Sequence, residues 1–192
     1  MARSKEFDPQ QALGAAVDVF WSNGFEKTSL DDLMAGMNVG RQSLYDTFGD
    51  KRTLYLRALE QYRDSTQAGM RKLFDSGHSV RECFSAILFG ICSESRADHE
   101  RGCLLLSANL ERSAGDKDVA KIVRGNQAEV EIIFETALLR ARERGELSAE
   151  KDPAALASFL LATLQGMRQA ARAASNRTAL ERTARIALTV LD

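Results

Sequence analysis

Both prolines of this 192-residue chain directly follow an aspartate, at Asp8-Pro9 and Asp152-Pro153. No other feature constrains the fold as strongly. An aspartate side chain accepts from the amides that open a helix, and a proline at the first helical position loses no internal hydrogen bond. Elsewhere this breaker is absent and apolar residues recur at helical spacing. Leu13, Ala16, Val17, Phe20 and Trp21 follow Pro9, and Asn23-Gly24 ends that run. Val80, Cys83, Phe84, Ile87, Leu88 and Ile91 form a second stripe, and a third runs from Val119 to Ala141. Leu156, Phe159, Leu160, Leu164 and Met167 form a fourth, and Leu180, Ala184, Ala187, Leu188 and Leu191 a last. Period-two alternation persists nowhere. The expected fold is all-α, with about nine helices.

The patterns change length along the chain. Three short helices are expected over residues 9–22, 29–36 and 40–47, then a connecting helix over 53–73 that Ser76-Gly77-His78 interrupts. A boundary is therefore expected after residue 52, between a small domain (1–52) and a larger helical one (53–192). Composition adds mainly exclusions. The 26 Lys+Arg and 27 Asp+Glu leave a net charge of −1, which gives no electrostatic reason to expect a nucleic acid or a membrane. No apolar run reaches membrane-spanning length, and the opening Met1-Ala2-Arg3-Ser4-Lys5-Glu6 has no apolar signal segment. Cys83, Cys92 and Cys103 are an odd set without framework spacing. These features point to a cytoplasmic protein with reduced thiols, no membrane association and no cofactor.

The segment GFEKTSLDDLMAGMNVGRQSLYDTFGDK, residues 24–51, carries the functional information. Thr28 or Ser29 can cap a helix whose first turn holds Asp31 and Asp32, favourable at the positive end of the helix dipole. Leu30, Leu33, Met34 and Met37 share one side of it. Asn38 suits a left-handed turn, Val39 plugs the corner, and Gly40 opens a second helix with Leu44 and Phe48 inward. Two short helices with such a turn describe a helix-turn-helix. At 100° per residue, Gln42 and Asp46 then point away, flanked by Tyr45 and Ser43, while Arg41 lies in the first turn, where a recognition helix touches base edges. Arginine pairs with guanine, glutamine with adenine and serine with either. Tyr45, Thr47 and Lys51 are placed to hold phosphates, as are Thr28 or Ser29 at the preceding helix start. An ordinary amphipathic helix pair exposes similar residues, so on spacing alone DNA recognition and plain helix packing both stand.

The stretch AAVDVFWSNGFEKTSLDDLMAGMNVGRQSLYDTFGDKRTLYLRAL resembles the DNA-binding region of TetR-family transcriptional regulators. Phe20, Gly24, Thr28, Leu33, Val39, Leu44, Tyr45, Phe48, Lys51 and Leu54 carry the resemblance. RGCLLLSANLE (101–111), ARERGEL (141–147) and LQGMRQAAR (164–172) resemble the family's regulatory domain more loosely. The resemblance implies a repressor that binds palindromic double-stranded operator DNA. It further implies a homodimer formed through the last two long helices, and release when a small-molecule effector fills a central cavity. Gly40, Gln42 and Asp46 depart from the family's frequent Ser, Gly and His. Asp46 would repel phosphate, so it is expected to orient Arg41 or Gln42, or to accept from cytosine.

Outside this motif the candidates are thinner. Phe84, Leu88, Ile91, Cys92, Leu105, Phe134, Leu164 and Met167 are expected to line an apolar pocket, with Asn109 and Arg168 as its polar contacts. Each also fits plain core. Cys103, next to Arg101, is a candidate redox or electrophile sensor, because a nearby cation can lower a thiol pKa; a small core residue would look the same. His78 and His99 join no catalytic triad or zinc-ligand spacing, so neither a catalytic residue nor a metal site is expected. An enzyme or carrier using the central helices, and an interaction module that never meets DNA, remain as rival readings.

Overall fold

The computed structural model describes residues 7–174 and 176–192. Among these, ten α-helices follow one another without a strand. They are α1 (Pro9–Lys27), α2 (Leu30–Met37), α3 (Arg41–Phe48), α4 (Lys51–Phe74) and α5 (Val80–Ser93). After them come α6 (Arg96–Arg101), α7 (Leu104–Arg112), α8 (Lys117–Glu143), α9 (Pro153–Ala174) and α10 (Arg177–Leu188). Both Asp-Pro pairs open helices as expected: Asp8 Oδ1 accepts from the Gln10 amide at 2.9 Å, and Asp152 Oδ1 from the Ala154 amide at 3.0 Å. The expected stop at Asn23-Gly24 is a kink. Gly24 adopts φ 76°, ψ 173°, and the chain regains one helical turn before α1 ends. Positive φ favours glycine there, and an added Cβ would also lie 2.8 Å from a Glu111 oxygen.

The chain packs as two compact units. The first holds residues up to Ser65 together with Cys103–Val123. Its core joins Ala16 and Phe20 of α1, Leu33 and Met37 of α2, and Leu44 and Phe48 of α3. Leu54, Tyr55 and Leu59 of α4, Leu104 and Leu105 of α7, and Val119 of α8 complete it. The Phe20 and Tyr55 rings meet edge-on with centroids 4.9 Å apart. The second unit comprises Thr66–Gly102 and Arg124–Asp192. Phe84, Leu88 and Ile91 of α5, Phe134 and Leu138 of α8, Leu160 and Met167 of α9, and Leu180 and Leu188 of α10 fill its interior. The apolar face of early α4 packs with α1, which places it in the first unit. The division into a DNA-binding domain (1–52) and a ligand-binding and dimerisation domain (53–192) is a proposal. Among the described residues no helix is long and apolar enough to cross a membrane.

Candidate nucleic-acid interface

Local chemistry sets the geometry of α2 and α3. Ser29 caps α2: its hydroxyl accepts from the Asp32 amide at 3.0 Å, while the Asp32 carboxylate accepts from the Ser29 amide at 2.8 Å. The Ser29 hydroxyl, followed by its amide, holds the Asp32 carboxyl below the usual carboxylate range. At the other end Asn38 takes the left-handed conformation, φ 52°, ψ 47°, and its amide donates to carbonyls of α2. Val39 is buried in the corner and α3 starts after Gly40. Asp50 then starts α4 by accepting from the Thr53 amide at 2.7 Å. With Leu44 and Phe48 buried, Arg41, Gln42, Ser43, Tyr45 and Asp46 are all exposed.

Two of the polar readers on α3 have defined partners. Arg41 Nη2 donates to Asp31 Oδ1 at 3.2 Å, and Gln42 Nε2 donates to Asp46 Oδ1 at 2.8 Å. Asp46 therefore orients Gln42 rather than Arg41. Tyr45 is 43% exposed and Thr47 half-buried. Lys51 Nζ lies 4.3 Å from the centre of the Phe25 ring, a cation–π contact. Thr28 requires a correction: it is buried, and its hydroxyl donates to the Gly24 carbonyl at 2.6 Å. The kink in α1 has claimed that hydroxyl, which leaves Ser29 as the exposed one at this helix start.

Residues not anticipated from the sequence brace the motif from behind. Arg52 grips Asp116 with two hydrogen bonds, 2.9 and 2.8 Å, and donates to Asp118 at 2.6 Å. Asp116 is buried and also accepts from the Asp118 and Val119 amides as α8 begins. The Arg52 hydrogen bonds pull its pKa down to about 2. The Arg112 guanidinium stacks over the Phe25 ring at 4.2 Å and bonds to Glu26, while Glu111 accepts from the Phe25 amide at 3.3 Å. Arg52 and Asp116 lie 64 residues apart, and nothing local in the sequence links them.

The pocket candidates separate. Phe84, Leu88, Ile91, Cys92, Phe134, Leu164 and Met167 share the second core. Leu105 belongs to the first core and Asn109 is exposed, so neither joins them. The apolar face of α7 packs with α1 to α4, which the helical spacing alone did not reveal. Arg168 is half-buried and donates to both Glu94 carboxylate oxygens, at 2.5 and 2.7 Å. Burial raises the Cys83 and Cys92 thiols, whereas Cys103 is only partly buried at the start of α7. His99 is buried with Nε2 2.7 Å from the Ile91 carbonyl, and exposed His78 meets Ser76 Oγ at 2.7 Å. Among the described residues no group of histidine, cysteine and carboxylate side chains could hold a metal. Arg3 and Lys5, candidates for a DNA-binding arm, lie outside the described residues.

Comparison with known proteins agrees with this geometry. The profile for bacterial regulatory proteins of the tetR family matches residues 12–58, and that for the tetracyclin repressor-like C-terminal domain matches residues 88–187. The uncharacterized HTH-type transcriptional regulator YezE of Bacillus subtilis (strain 168) is 32% identical, covering 100% of both chains. The HTH-type transcriptional repressor ComR of Escherichia coli (strain K12) is 31% identical over 98% of this chain and 90% of its own. Among solved structures, a cysteine mutant of the TetR family transcriptional regulator CifR superposes with a TM-score of 0.84 at 29% identity. That match covers 100% of both chains, and the CifR mutant is complexed with a 26-base-pair double-strand operator DNA. These relatives are regulators, which removes the enzyme reading. The chain belongs to the TetR family of transcriptional regulators.

Proposed function

We propose that this protein is a repressor that binds a near-palindromic operator as a homodimer and leaves it when a small-molecule effector binds. The observation that carries the DNA reading is the outward row on α3, held by a capped α2, a left-handed Asn38 and a buried Val39. Relatives of similar length, one a named repressor and one complexed with operator DNA, support it. In this reading α3 enters the major groove, with Arg41, Gln42 and Ser43 at base edges and Ser29, Tyr45, Thr47 and Lys51 at phosphates. The protein would act in the cytoplasm, on DNA.

Dimerisation is assigned to α9 and α10. Phe159 and Ile186 are exposed there, and with Thr163, Arg182, Thr183 and Ala187 they line a groove that a second copy would cover. Two α3 helices would then dock on half-sites about 34–36 Å apart, so a small change in their separation prevents both from binding at once. An effector achieves this only by binding one arrangement better than the other. The apolar side chains around Phe84 and Phe134, with Arg168 as polar contact, are the proposed effector region. The test is selection from genomic fragments, followed by binding measurements with Arg41→Ala and Gln42→Ala. Loss of sequence preference is expected, and wild-type preference in both variants overturns the assignment.

A second reading keeps the DNA role and changes the signal. Unlike Cys83 and Cys92, Cys103 is not fully buried, so an electrophile or oxidant can be sensed there. Undiminished oxidant-induced release from Cys103→Ser would remove this option.

A further inference from the structure

Gln42 and Asp46 stand one turn apart on the exposed face of α3. Helical side chains lean toward the N-terminus, so a carboxylate four residues on reaches back to the earlier side chain. Here it accepts from Gln42 Nε2 at 2.8 Å. A glutamine side chain has a donor end and an acceptor end, and its terminal torsion allows either to face a given atom. What such a residue reads in DNA depends on which end is presented.

The Asp46 carboxylate can only accept, so it holds the nitrogen end and repels the oxygen end. Gln42 is left to present its second N–H beside Oε1. That donor–acceptor pair matches adenine, which offers N7 as acceptor and N6–H as donor in the major groove. Guanine offers two acceptors, N7 and O6, and one of them would face Oε1. Arg41 does not compete for Asp46, because Asp31 already accepts from it.

We propose that Asp46 is a specificity-positioning residue that locks Gln42 as an adenine reader in each operator half-site. The proposal rests on the reading that α3 enters the major groove. Asp46 lowers affinity for every DNA sequence by its charge and in return raises discrimination at one base pair. An asparagine at 46 would lose both effects, since its amide can donate as well as accept and so lets Gln42 turn over.

The experiment selects duplexes from a randomised library with the full-length wild type and the Gln42→Ala, Asp46→Asn and Asp46→Glu variants. Binding is then titrated on the selected operator and on the same operator with the assigned adenine changed to guanine. All the substituted side chains are exposed, and matching circular dichroism spectra and melting midpoints establish that the variants fold. The wild type is expected to prefer adenine by about tenfold to a hundredfold. Gln42→Ala should lose that preference. Asp46→Asn should bind both duplexes more tightly with a ratio that falls toward one, and Asp46→Glu should restore much of the ratio. An Asp46→Asn variant with the full adenine preference overturns the proposal, as does an adenine preference that survives Gln42→Ala. In both cases the enrichment of one operator leaves sequence-specific DNA binding standing. A wild type that enriches no sequence at all removes the DNA reading itself.

Discussion

Asp116 is almost fully buried yet stays a carboxylate, because the Arg52 guanidinium bonds to both its oxygens and two backbone amides donate as well. Its folded pKa of about 2 lies below the ordinary value of 3.8. A lowered folded pKa means that the carboxylate stabilises the fold above about pH 4, and that this contribution disappears as pH falls through about 2. Arg52 is partly exposed and solvent screens it, so the expected contribution at neutral pH is about 1–2 kcal/mol. Urea unfolding across a pH series tests this. Asp116→Asn should be less stable than wild type by that amount at pH 7, and the gap should narrow steadily between about pH 4 and pH 2. A gap independent of pH would mean that the charge contributes nothing. The sequence did not reveal this ion pair, since nothing local in Arg52 names a partner 64 residues away.

Between elements, the approach of α1 to α2 depends on Gly36. A Cβ built there would lie 2.4 Å from Val19 Cγ2, closer than two carbons can sit. Valine in a helix has one strongly preferred rotamer, so Val19 cannot simply swing aside. Gly36→Ala gains about 1 kcal/mol of helix propensity. It also forces overpacking worth about 1–3 kcal/mol, so the expected outcome is a net loss of about 1 kcal/mol. Adding Val19→Ala should recover the overpacking part, and both differences can be read from melting midpoints. A stabilised Gly36→Ala single variant would show that the two helices have room to spare. The elements themselves were largely legible. Apolar spacing located α1 to α5, and Asn38 marked the turn. The six-residue α6 is too short for spacing to declare itself. Thr28 misled for a different reason: a hydroxyl before a helix looks the same from sequence whether it faces solvent or a kinked neighbour, and only packing decides.

For the molecule as a whole, near-neutral charge bears on how tightly it can hold DNA. Residues 1–60 carry seven basic and nine acidic side chains. Cations in and after α3 are also engaged within the protein: Arg41 by Asp31, Lys51 by the Phe25 ring, Arg52 by Asp116 and Asp118, and exposed Arg57 by the Thr47 carbonyl. A cation that must leave an acidic partner to meet DNA exchanges one pairing for another, so each such contact adds little net affinity. Helix starts and hydroxyls must then supply much of the backbone grip. The expected dependence of log K on log salt is shallow, about −4 to −8 for a dimer at about 0.9 per phosphate. Fluorescence anisotropy between about 50 and 200 mM salt measures it, and a slope steeper than about −10 would mean that basic residues elsewhere reach the DNA. Asp31→Asn sharpens the test, because it frees Arg41 without adding a cation. Affinity for the selected operator should then rise. If freed Arg41 reaches phosphate, the slope should steepen by about two per dimer. If it reaches a guanine instead, affinity should rise chiefly on the selected operator, with the slope nearly unchanged. The two results separate a backbone contact from a base contact.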